Sequence, residues 1–161
     1  MNIFRYNKKT PFPIEGLSVA MGNFDGLHLG HRRVIELAKP VKLDHKHGVL
    51  TFDPHPREFF SPEQSSFRLM NQAAKKTKLK ELGVDVLIEV PFTKELSLLT
   101  PEAFVEKVLF NHFRLDHLVI GEDFRFGHRR KGNANLLKSL CSSFGIEVTI
   151  APLVKNGVVE I

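Results

Sequence analysis

A single cysteine, Cys141, stands in 161 residues, so no disulfide framework holds this chain together, and one free thiol fits a reducing compartment. Long apolar runs are missing as well. No stretch approaches the ~20 residues that span a bilayer, and Met1 to Lys9 is polar and basic, unlike a secretory signal. The expectation is a soluble, cytoplasmic protein with no membrane partner. Two glycine patterns for phosphate binding are also absent. No Gly-x-Gly-x-x-Gly follows the first apolar strand, which disfavours a Rossmann dinucleotide site, and no Gly-x-x-x-x-Gly-Lys-Ser/Thr marks a P-loop. Repeats, low-complexity segments and linkers are not seen. A chain of this size hides roughly two-thirds of its unfolded surface on folding, so residues 1–161 are expected to form a single domain.

What is present is a basic excess, with a formal charge of +5. Lys75, Lys76, Lys78 and Lys80 cluster on one segment and read as a solvated helix face. Arg125, Arg129, Arg130 and Lys131 form a second group. Charge of this kind suits nucleic acid and phosphorylated small molecules alike.

Apolar patterning alternates between strand and helix. Leu17–Met21, 47–52, 84–90, 117–121 and 147–151 read as strands, several of them apolar on both faces. Helices are expected from near His28, over 71–82 with Asn71 as N-cap, from Pro101 after the N-cap Thr100, and over 132–144. The fold class that follows is α/β: a five-stranded, mainly parallel sheet with helices on both faces. Ligands in such sheets sit beyond the carboxyl ends of the strands, where Met21-Gly22, Phe52-Asp53 and Gly121-Glu122 fall.

Three segments at those ends carry chemistry. In Met21-Gly22-Asn23-Phe24-Asp25-Gly26-Leu27-His28-Leu29-Gly30-His31, a strand runs through a glycine-bearing turn into a helix. His28 and His31 then share a face beside the unpaired N–H groups and the positive end of the helix dipole, an arrangement suited to polyphosphate. In Phe52-Asp53-Pro54-His55-Pro56-Arg57-Glu58-Phe59-Phe60, two prolines fix an extended turn flanked by aromatic rings. The third is Gly121-Glu122-Asp123-Phe124-Arg125-Phe126-Gly127. Taken alone, the second and third also suit loops anchored by aromatic side chains.

His28-Leu29-Gly30-His31 resembles the His-x-Gly-His signature of the nucleotidyltransferase superfamily. In order and spacing, the three segments together resemble the bacterial FAD synthetases, over essentially the whole chain. The resemblance implies a Rossmann-like nucleotidyltransferase fold and FMN adenylyltransferase activity, ATP + FMN → FAD + pyrophosphate, assisted by Mg²⁺. It implies that His28, His31 and Asn23 are catalytic, holding the triphosphate and stabilising the transition state. Met21, Gly22, Asn23, Phe24, Gly30, His31, Asp123 and Arg125 would contact ATP, and Phe52, Pro54, Pro56, Arg57, Asp123 and Phe126 the flavin. Asp25 is a candidate for Mg²⁺ or for orienting the turn; metal ligands are otherwise not assigned. The substrates would be ATP and FMN, with no nucleic-acid partner.

In that family a riboflavin kinase module follows, after a Ser-Ser-Thr-x-x-Arg segment that closes over the ATP phosphates. Neither is in this sequence, so weak catalysis and no riboflavin kinase activity are the expectation. Two alternatives stand beside this reading. One is a non-catalytic module that binds flavin or adenine nucleotide. The other is an adenylyltransferase for another phosphorylated cofactor precursor, such as nicotinamide mononucleotide or pantetheine phosphate.

Overall fold

The computed structural model describes residues 1–24, 29–42, 44–52, 72–152, 154–155 and 158–159, with only the backbone described at 29–30, 72, 154–155 and 158–159. Its centre is β2 (Leu17–Met21), a strand buried at all five positions. Such a run belongs inside a parallel sheet covered on both faces. β3 (Lys46–Phe52) pairs on one side of it and β5 (His117–Gly121) on the other, both parallel. β4 (Val86–Val90) follows β3, and β8 (Glu147–Ala151) lies outside β5.

The sheet has six strands rather than the expected five. The addition is β1 (Asn2–Arg5), parallel to β4 at the edge, so the sheet order is β1-β4-β3-β2-β5-β8. An edge strand of four residues, with Ile3 and Phe4 its two apolar side chains, leaves almost no periodic signal.

Alternation along the strands divides the apolar side chains between two cores. Val19, Met21, Leu50, Ile88 and Ile120 face one core. There they meet α4 (Pro101–Phe104), the wider π-helical turns Val105–His112 that continue it, and α5 (Ala134–Ser143). Ala20, Val49, Leu87 and Val119 face the other, against Val34, Ile35 and Ala38 of α1 (Leu29–Leu37) and Leu79 of α2 (Gln72–Glu81). α3 (Lys94–Ser97) is a single turn.

Local capping sets the helix starts. Thr100 Oγ1 accepts from the Ala103 amide at 3.1 Å, with Pro101 opening the first turn. α5 begins two residues later than its expected start. Asn133 is its N-cap, its Oδ1 accepting from the Leu136 amide at 2.9 Å. Gly132–Asn133 is instead β7, antiparallel to β6 (Arg125–Phe126). A short hairpin, β9 (Val154–Lys155) and β10 (Val158–Val159), follows β8. No described helix is long and apolar enough to cross a membrane.

Candidate active site

The chain leaves β2 towards β3 on one side, whereas β5 lies on the other. Their carboxyl ends therefore flank the crevice that a parallel sheet opens where its winding reverses. Residues 21–24 and the start of α1 enter it from β2, and residues 121–126 from β5. In this winding the amino termini of α1 and α2 lie at the same edge. Neither helix has an acidic residue in its first turn to offset its dipole, so this edge favours anions.

The β2–α1 turn is built tightly. The Gly22 amide donates to Leu50 O at 3.1 Å, continuing the ladder one residue past β2. A Cβ on Gly22 would lie 3.1 Å from the Phe24 ring, so glycine lets that ring fold back over the backbone. Phe24 itself is buried at a left-handed φ of 51°. Such a conformation costs a bulky residue about 1–3 kcal/mol and persists only where its surroundings impose it. The Phe24 ring meets the His31 imidazole edge-to-face, with centroids 5.4 Å apart, fixing the histidine in the first turn of α1. Asn23 Oδ1 is buried and has no hydrogen-bond partner among the described residues. Met21 buries its side chain in the core, which leaves its backbone to face the crevice.

Beside this turn lies a small, open cleft. Its walls are aromatic. Phe52 at the end of β3 packs against Phe92 and Phe104, centroids 6.3 and 6.4 Å away. Phe126 lies 5.8 Å from Phe104 and stacks on Phe124 at 6.1 Å. Asn23 and Arg125 also line it, so the β2–α1 turn and the segment after β5 share one cavity. Gly132 sits under Phe126, where any Cβ would overlap the ring.

Of the residues expected to act, Met21, Gly22, Asn23, Phe24, His31, Phe52, Asp123, Arg125 and Phe126 thus gather around the crevice or its cleft. Asp123 and Arg125 are exposed, and Phe126 is buried as a wall. Gly30 is described in its backbone alone, within α1. Asp25, His28, Pro54, Pro56 and Arg57 lie outside the described residues. Among the described residues no three His, Cys, Asp or Glu side chains converge as a metal site.

Several participants escaped the sequence reading. Phe92, Leu96 and Phe104 line the cleft from the stretch after β4. Lys75, grouped with a solvated face, instead turns inward. Its Nζ donates to Asn23 O at 3.0 Å and lies 3.4 Å from Thr51 Oγ1, which itself donates to Asn23 O at 3.2 Å. The available signal was its place in the first turn of α2, where a cation opposes the dipole unless a partner compensates.

The FAD synthetase family pattern matches residues 13–161. The chain is 36% identical over 137 residues to a bifunctional riboflavin kinase/FMN adenylyltransferase of Haemophilus influenzae, covering 84% of the chain and 44% of that protein. Against the protein of the same name from Escherichia coli K12, identity is 34% over 151 residues, with 92% and 48% covered. An FAD synthetase of Listeria monocytogenes is 33% identical over 147 residues, with 89% and 58% covered. The chain thus spans about half the length of these relatives. A solved structure of a macrolide-efflux protein from Streptococcus pneumoniae has a similar fold, with a TM-score of 0.82 and 27% identity over 99% of this chain and 54% of that one.

Proposed function

The chain belongs to the FAD synthetase family, and on that premise we propose that its crevice is an FMN adenylyltransferase site, joining AMP from ATP to FMN. A phosphate oxygen of FMN attacks the α-phosphorus of ATP. The bond from that phosphorus to the bridging oxygen breaks, and pyrophosphate leaves. The attacking oxygen is already an anion, so no general base is required, and rate comes from alignment and charge stabilisation. Asn23, His31 and the start of α1 are suited to the triphosphate, with His28 beside them by sequence. Asn23 would meet the phosphates through its Nδ2 donor, leaving its buried Oδ1 to accept from another group. The aromatic walls of the small cleft are suited to contact one edge of a flat tricyclic ring. Arg125, lining the same cleft, is suited to fork onto a phosphate between the two substrates. Pro54, Pro56 and Arg57 are proposed on the flavin side from sequence alone, and Asp123 at the junction.

Mg²⁺ carried on nucleotide phosphates needs only one or two protein carboxylates. Asp25 is the proposed contributor, and among the described residues no three His, Cys, Asp or Glu side chains converge on a metal site of another kind. When bound it would neutralise phosphate charge.

The observation that carries the proposal is the shared cavity, which sets the β2–α1 turn against an aromatic wall. Thermal unfolding with ATP, FMN, FAD, nicotinamide mononucleotide or a short oligonucleotide, each added alone, tests it. ATP, FMN and FAD should each raise Tm. Stabilisation by nicotinamide mononucleotide in place of FMN would move the acceptor assignment elsewhere.

A further inference from the structure

We infer that Lys75 is a positioning residue for adenylyl transfer, clamping the Asn23 carbonyl together with Thr51 so that the β2–α1 turn is held in its catalytic shape. This rests on the adenylyltransferase reading above. The Asn23 carbonyl receives two donors, Lys75 Nζ at 3.0 Å and Thr51 Oγ1 at 3.2 Å, and the hydroxyl also lies within reach of the ammonium at 3.4 Å. Three elements meet there: the exit of β2, the last turns of β3 and the first turn of α2. The neighbouring residue, Phe24, holds a left-handed φ of 51° and carries the ring against which His31 packs. Strain of that kind needs an external restraint. Two hydrogen bonds on the preceding carbonyl, the one from Lys75 charge-assisted, supply one.

The placement of Lys75 supports this. A cation in the first turn of a helix opposes the dipole, a cost that its hydrogen bonds to Asn23 O and Thr51 Oγ1 help offset. Lys78, one turn further along, lies 3.9 Å from Glu81 in an exposed pair, as a solvated lysine would. Thr51 and Lys75 also bracket residues 53–71, which carry Pro54, Pro56 and Arg57. The clamp therefore ties both ends of the proposed flavin-side connection to the carbonyl of the triphosphate-side turn. A restraint that aligns the turn for the transition state, without adding affinity for bound substrate, acts on kcat more than on KM.

The test compares Lys75→Met, Lys75→Arg, Thr51→Val and Lys80→Met in steady-state FAD formation, with hydrogen exchange of the 22–24 peptide in the ligand-free protein. Lys75→Met should lower kcat by at least roughly tenfold, the scale of a lost charge-assisted hydrogen bond. KM for ATP and FMN should stay within about twofold, and exchange at 22–24 should accelerate. Lys75→Arg should recover most of the rate, and Lys80→Met should behave as wild type. If Lys75→Met fails to fold, Thr51→Val reports on the same clamp through the same readouts. Unchanged kcat, a loss confined to KM, unaltered exchange at 22–24, or no recovery with arginine would overturn the inference. A wild type that forms no FAD refutes the proposed function instead, and exchange at 22–24 then decides the clamp alone.

Discussion

Towards the amino ends of the parallel strands, the histidines are fastened by hydrogen bonds to neighbouring elements; at the carboxyl ends, Asn23 and His31 sit beside the crevice instead. His117 bridges three strands, its Nδ1 2.9 Å from Ser18 Oγ and its Nε2 2.8 Å from Thr149 Oγ1. His47 donates through Nε2 to Ile35 O at 2.7 Å, tying β3 to α1. His45 spans Asp44 and Asp116 at 3.0 and 2.7 Å. At the other end Asn23 Oδ1 is buried without a partner among the described residues, and Phe24 is strained beside His31. A buried polar atom without a hydrogen bond costs about 1–3 kcal/mol. His47 Nδ1 at the amino end is likewise buried without a hydrogen-bond partner among the described residues, so it is the strained Phe24 and the adjoining cleft that set the carboxyl end apart. Histidine count says little here. Whether a histidine's surroundings are closed or open separates scaffold from site.

That contrast breaks most readily at the histidines themselves. His31→Ala should slow FAD formation by roughly a hundredfold or more, the scale of one lost preorganised donor, with little change in Tm. His28→Ala should do the same. A variant that melts early and keeps its specific rate would place His31 among the structural histidines.

Gly132→Ala is a smaller perturbation, aimed at the wall between scaffold and cleft. The new methyl must displace the Phe126 ring, at a typical overpacking cost of about 1–3 kcal/mol. KM for FMN should rise more than KM for ATP. Equal rises would show that Phe126 does not shape the flavin side.

At the closed end the effects should be on stability alone. His117→Ala should lower unfolding free energy by about 1–2 kcal/mol and leave the rate per folded molecule unchanged. Burial holds the His117 pKa below its ordinary 6.5, the Glu147 charge opposing this more weakly. The unfolded chain therefore binds more protons than the folded one just below pH 6.5. The His117 contribution is complete above that pH and is lost as pH falls through the window beneath it. Denaturant melts from pH 7 to pH 5 should show a shallower loss in His117→Ala than in wild type. An equally steep loss would assign the acid sensitivity to other groups.

The smallest effect belongs to Cys141. Burial pushes its thiol up to about 12, and its side chain is fully enclosed. A maleimide at pH 8 should label only denatured protein, with native activity untouched. Rapid labelling of the native state would show that the α5 core opens.

How much of this was legible in sequence follows from which interactions are local. Leu17–Met21 and Val86–Val90 announce themselves as runs apolar on both faces, broken only by Ser18 and Glu89, because both faces are covered. Thr100-Pro101 is legible because capping is a matter of adjacent residues. The β2–α1 motif could be read because turn, helix start and His31 are consecutive. The edge strand Asn2–Arg5 was hidden by its half-exposed pattern, since its partner β4 lies about eighty residues away. The cleft wall formed by Phe92, Leu96 and Phe104, and the inward turn of Lys75, depend on how distant elements pack. Periodicity assigns a lysine to a helix face without saying what that face meets.

The most direct test follows the α-phosphate. With ATP labelled at that phosphorus, FMN, and wild-type, His31→Ala and His117→Ala proteins at matched folded concentration, the products are separated over time. The label should appear in FAD with one pyrophosphate released per FAD, at equal rates for wild type and His117→Ala, and almost vanish with His31→Ala. Label released as AMP or ADP without FAD, or equal losses in the two histidine variants, would contradict the assignment of the carboxyl-end crevice as the adenylyl-transfer site.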